Sequence, residues 1–231
     1  MLYNIPSSGF ISQTLEALTD GVVRSFARAV ANMQPGRIYF NKGELLDAGV
    51  NRSPTSYDNN PANERARYKH NTDTEMFILK MVNRQDEPIA MVNWFAVHGT
   101  SMNNTNRLIS SDNKGYASLL FEKDFNPAGS LPGRGKFVAI FAQANEGDVS
   151  PNTQGPRCID TGLPCDLHTS TCGNPARVSY YSFEYSAILD DYYYRELAQI
   201  MILISIYVCD LTQSDTTERE VYSIRPRKRY V

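Results

Sequence analysis

Two apolar runs set the strongest constraint on how this chain folds. Residues 75–82 (EMFILKMV) and 89–97 (IAMVNWFAV) are each of strand length, and a short polar link carrying a turn at 86–88 joins them. Apolar runs this close together predict an antiparallel hairpin. A third run, 136–142 (KFVAIFA), predicts another buried strand, and 37–41 (RIYFN) a shorter one. Phe10, Leu15, Leu18, Val22, Phe26, Ala29, Val30 and Met33 recur at helical spacing, so a helix is expected over 9–34, ended by Pro35-Gly36. A second helix is expected over 115–125. Strands interspersed with helices place the chain in the α/β class, of mixed α+β type: a layered mixed sheet with flanking helices.

Turn-forming residues divide the chain. All 14 glycines lie at or before Gly173, 11 of the 12 prolines at or before Pro175, and nine of the 14 tyrosines at or after Tyr180. Residues 1–175 therefore read as one unit and 176–231 as different material, a tail with a helix expected over 182–211. The longest apolar stretch, 198–208, has 11 residues, against the roughly 20 that span a bilayer. Net charge is −2 and the pI about 5.9. That argues against a nucleic-acid partner, which requires concentrated Lys and Arg. The opening MLYNIPSSGF has no basic leader and is interrupted by Pro6, so no signal peptide is expected and the chain as written reads as cytosolic. Cys158, Cys165 and Cys172 stand at seven-residue intervals in a loop-like stretch, with Cys209 apart. Zinc ribbons use closer pairs, so loop disulfides or chance cysteines fit this spacing better.

Four segments have the residue types that chemistry uses. The strand over 89–97 delivers His98 to a Gly-Thr-Ser turn, where a ring is fixed yet has space to act as ligand or general base. A structural histidine bonded to backbone is the plainer alternative. Residues 110–114 form a polar turn opening into a helix at Gly115; such a helix start holds an anion, or is simply capped by Ser111 or Asp112. Gly147-Asp148-Val149-Ser150-Pro151-Asn152 follows the third strand and presents Ser150 as a nucleophile or positioning hydroxyl. It is not the G-x-S-x-G elbow. With His70, His98 and His168 as the only histidines, His98 is the sensible base for such a serine. Arg52, between Asn51 and Ser53-Pro54 in a long polar loop, offers a rigid fork of donors to an oxygen-rich group, or is an ordinary surface arginine.

Taken in order, NKGELLDAGVNRSP, NWFAVHGTSMNNTN, LISSDNKGYAS, LPGRGKFVAIFAQANEGDVSPN and CIDTGLPCDLHTSTC resemble the neutral ceramidases over residues 1–175. The resemblance implies a partial catalytic domain without the family's C-terminal β-sandwich. The implied activity is an amide hydrolase that cleaves ceramide to sphingosine and a fatty acid, meeting this sphingolipid substrate at a membrane surface. It implies a Zn2+ cofactor with His98 as a ligand, and Ser150 and Arg52 as catalytic residues. It also implies a secreted or cell-surface location, and a Cys158–Cys172 pairing that leaves Cys165 without its family partner. The zinc-water route is favoured, with Ser150 orienting and Arg52 stabilising charge. The family's other zinc ligands belong to an H-T-H-S-G-P-G segment ahead of the point matching Met1, and to a glutamate and a tyrosine beyond the resembling part. Their absence keeps a second expectation open: an inactive truncated paralogue or splice form with a binding or regulatory role, or none. A metal-free serine amidase using Ser150 and His98 is the third.

Overall fold

A computed structural model of the chain describes residues 10–102, 106, 108–155, 157–158, 161–166 and 222–224. Helix α1 spans Ser12–Ala31, inside the expected 9–34, and stops at Asn32, ahead of Pro35. Strand β1, Gly36–Glu44, is nine residues long where the sequence suggested five. The polar stretch that follows is not one loop. It contains the two-residue strand β2 (Val50–Asn51) and two short helices, α2 (Pro54–Asp58) and α3 (Ala62–Arg65). Strands β3 (Glu75–Asn83) and β4 (Pro88–Phe95) form the expected hairpin. Helix α4 is Asp112–Phe125, three residues longer at its start than expected. Strand β5 is Val138–Gln143, β6 Val149–Ser150 and β7 Tyr222–Ile224. The helix expected over 182–211 lies outside the described residues.

Five strands form one sheet in the order β5-β4-β3-β1-β7. The β4–β5 pair is parallel and the other pairs antiparallel, so the sheet is mixed. Parallel neighbours need a crossover, and α4 supplies it. One face of the sheet carries Met76, Ile78, Met91, Phe95, Ala139 and Phe141, all buried. Ile78, Asn93 and Phe141 lie in one cross-strand row, so a fully buried amide stands among apolar neighbours. Helix α4 covers this face with Ala117 and Phe121. The Phe121 ring stacks on Phe125 and Phe137, with centroids 4.9 and 5.9 Å away, and meets Phe141 edge-on at 6.0 Å.

The opposite face has no such cover among the described residues. Phe40, Val138 and Ile140 remain exposed there. Helix α1 buries none of its residues, and its apolar stripe from Phe10 to Met33 is open. Periodicity thus specified the helix correctly, while the contact that an amphipathic stripe implies is not formed within the described chain.

Candidate functional site

The functional segments meet where the main sheet ends. Strands β2 and β6 form a separate antiparallel pair, with Val50 opposite Ser150 and Asn51 opposite Val149. This pairing brings a residue near position 50 beside one near 150. Gly49 permits the approach: a Cβ there would stand 2.6 Å from Val149 Cγ1. Arg52 follows β2 directly. Its backbone N–H donates to Asp148 O at 2.8 Å and its Nη2 to Gly147 O at 3.2 Å. The Arg52 guanidinium is therefore folded back onto the hexapeptide that carries Ser150.

Asn51 fixes this turn from below. It is 6% exposed, and its Nδ2 donates to Asn71 O at 2.8 Å and Asp148 Oδ2 at 2.7 Å. Its Oδ1 accepts the Ser53 N–H at 2.7 Å. Replacing Asn51 with alanine strands three partners, so a stability loss of about 2–3 kcal/mol is expected. Asn51→Asp should cost more, because it sets a carboxylate against that of Asp148. Urea midpoints of the two variants check the ranking; a loss below about 0.5 kcal/mol for Asn51→Ala would contradict it.

His98 arrives from the other side. Strand β4 ends at Phe95, and the next residues run toward β6. The His98 N–H donates to Val149 O at 3.0 Å, and its Nδ1 lies 3.2 Å from the same oxygen. A carbonyl only accepts, so this contact places the ring proton on Nδ1 and leaves the Nε2 lone pair free. That is the state a metal-ligating or proton-accepting imidazole needs. Ser150 is fully buried, and its Oγ accepts the Asn152 N–H at 3.2 Å. The structure thus brings Arg52, His98 and Ser150 to one place through Val149 and its neighbours.

The polar turn at 110–114 is closed largely by its own side chains. Asp112 adopts a positive φ of 52° and already lies in α4. Its Oδ1 accepts the Asn113 N–H at 2.6 Å, and the Gly115 N–H donates to Ser111 O at 3.1 Å. Three of the first four donors at this helix start, those of Asp112, Asn113 and Gly115, are thus occupied. Ser111 makes no side-chain cap bond; the Ser110 hydroxyl accepts the Asp112 N–H at 3.0 Å instead. Gly115 has no room for a side chain, since a Cβ would fall 1.6 Å from Ser111 Oγ. Asp112, Asn113 and Lys114 are instead buried and turned inward. This inward turn is not legible along the chain, because three consecutive polar residues ahead of a glycine read as a turn.

A cleft of about 670 Å³ opens on the far side of Asn51, lined by Glu44, Arg67, His70, Asp73 and Asp148 among others. Arg52, His98 and Ser150 do not line it, so it is adjacent to the candidate site and not its centre. Glu44 there is held below the usual carboxylate range by its hydrogen bond and ion pair with Lys69. A catalytic zinc takes three protein ligands. Among the described residues no three His, Cys, Asp or Glu side chains converge. His98 therefore suits a metal in kind, but the described donors fall short of a zinc site in number. Farther along, the Cys158 and Cys165 sulfurs lie 3.5 Å apart.

The comparisons with known proteins agree with one another. Residues 1–187 match the family profile described as neutral/alkaline non-lysosomal ceramidase, N-terminal. The chain belongs to this family. It is 50% identical over 171 residues to neutral ceramidase A of Dictyostelium discoideum, covering 74% of this chain and 24% of that protein. It is 49% identical over 172 residues to the neutral ceramidase of Drosophila melanogaster, with the same coverage. The neutral ceramidase crystal structure from Pseudomonas aeruginosa superposes with a TM-score of 0.66 at 34% identity, over 92% of this chain and 28% of that one. A ceramidase complexed with C2 gives 0.69, also at 34% identity. The chain thus spans about a quarter of the length of these relatives. The family match reaches residue 187, twelve residues past the compositional break.

Proposed function

We propose that this chain supplies part of the active site of a zinc-dependent amide hydrolase that cleaves ceramide to sphingosine and free fatty acid. The observation that carries the reading is the shared anchoring of two segments on one hexapeptide. Arg52 binds back to Gly147 and Asp148, Val50 pairs with Ser150, and His98 bonds Val149 O through both its backbone and its ring. An amide is a poor electrophile, so its cleavage needs charge stabilisation at the carbonyl oxygen. In this reading Arg52 meets such charge, and the Ser150 hydroxyl holds the carbonyl or a water. His98 contributes one imidazole ligand through Nε2, and the zinc's other ligands come from outside the described residues. When bound, such a metal supplies Lewis acidity. Ceramide reaches this site from a membrane surface. A Cys158–Cys172 disulfide and a secreted or cell-surface location belong to the same proposal, since disulfides persist in oxidising compartments.

Two observations favour a second reading. Ser150 has no exposed surface, and the described donors amount to one metal ligand. Both suit an inactive form that keeps the scaffold and acts by binding. Zinc content and ceramide hydrolysis of the purified chain separate the two. Fatty-acid release with one bound zinc would sink the inactive reading. In a longer form that carries the remaining ligands, Ser150→Ala and Arg52→Ala should each lower kcat by roughly 100-fold or more. Unchanged turnover in both variants would overturn the assignment of these residues.

A further inference from the structure

We propose that Asn113 is the positioning residue for the His98 imidazole, at the centre of a clamp formed with Asp112 and Lys114. The inference rests on His98 acting as ligand or base, as set out above. Between Phe95 and Met102 the backbone has left the sheet, so its polar groups need other partners. Side chains supply several of them. Gln143 takes the Val97 N–H at 3.3 Å and donates to Val97 O at 2.5 Å. Asp112 accepts from Ser101 N at 3.0 Å and Met102 N at 2.9 Å. Lys114 Nζ donates to Phe95 O at 2.6 Å and to Ala142 O at 3.1 Å, tying the ends of the parallel strands together.

Asn113 acts on His98 itself. Its Nδ2 donates to His98 O at 2.8 Å and to Ser101 Oγ at 2.9 Å, and the residue is fully buried. His98 is consequently held at both of its backbone polar groups, by Val149 O on its N–H and by Asn113 on its carbonyl. The ring contact to Val149 O depends on this backbone placement. Gly99 follows at once and restrains nothing: the nearest atom to a Cβ there would be 3.7 Å away. Asn113 Oδ1 is buried with no hydrogen-bond partner among the described residues. An unpaired buried oxygen is unfavourable, so stability alone does not account for an amide here. Its donor side, aimed at His98, does.

The test reads the tautomer of His98, which a merely structural role would leave alone. The metal-free 231-residue chain is labelled with 15N, and long-range proton–nitrogen correlations are recorded at about pH 8, where imidazole is neutral. The wild-type ring should show a single Nδ1–H form. Asn113→Ala should shift both ring nitrogens toward the averaged values of mixed tautomers. Asn126→Ala is the control. Asn126 bridges Glu122 and Phe137 by a similar set of bonds at the far end of α4, so it should lower stability without moving His98. Asn113→Ser replaces Asn113→Ala if the latter does not fold. An unshifted His98 in a folded Asn113 variant, or an equal shift in Asn126→Ala, would overturn the proposal. Failure of the wild-type chain to bind zinc would count against the metal reading and leave this result standing.

Discussion

Lys114→Met should flatten the rise in stability that the wild-type chain shows between pH 7 and pH 9. Lys114 is 8% exposed, and burial pushes its ammonium from the usual 10.5 down to about 7, with the Glu146 carboxylate pulling it back up. Between those values the folded chain holds a neutral amine while the unfolded chain holds a proton. The unfolded state then binds more protons, so stability climbs with pH, by at most about 1.4 kcal/mol per unit. The contribution is smallest below about 7 and complete above 10.5. Over the two units from pH 7 to 9 the wild type should gain about 2–3 kcal/mol that the methionine variant does not. Tyrosines and cysteines titrate alike in both chains and cancel in the difference. At the alkaline end the variant should be the weaker by about 1–2 kcal/mol, because Phe95 O and Ala142 O lose their Nζ donor. Urea midpoints at the two pH values decide it, and parallel pH profiles would rule the account out.

Phe121→Ala should cost about 4 kcal/mol at any pH. The side chain is 2% exposed and touches three other phenylalanine rings between α4 and β5. Its removal loses the transfer free energy of a ring and leaves a cavity that rigid strands cannot close. Domains of this size hold about 5–15 kcal/mol in total, so the variant should melt far below the wild type. A loss under about 1.5 kcal/mol would mean that α4 does not depend on this contact. Because α4 also presents Asp112, Asn113 and Lys114 to the His98 segment, the damage should spread from the core to the candidate site.

The sequence by itself determined the local elements. Periodicity gave α1, apolar runs gave β3, β4 and β5, and the short link between 82 and 89 gave the hairpin; most of α4 was also expected from the local sequence. The ordered motifs also gave the family, and with it the three residues to inspect. Spacing along the chain did not show that β2 and β6 would pair across about 100 residues, since two-residue strands have no pattern of their own. Nor did it show which polar side chains turn inward. Asn51, Asn113 and Lys114 look like loop residues, because a polar side chain has the same letter whether it meets water or a buried carbonyl. Only the tertiary structure decided that, by leaving backbone groups of the strand ends without partners and bringing these side chains within reach. The same structure shows that the apolar stripe of α1, fully legible in the sequence, has no surface to cover among the described residues. A periodic pattern specifies a helix locally, but what it packs against depends on the rest of the fold.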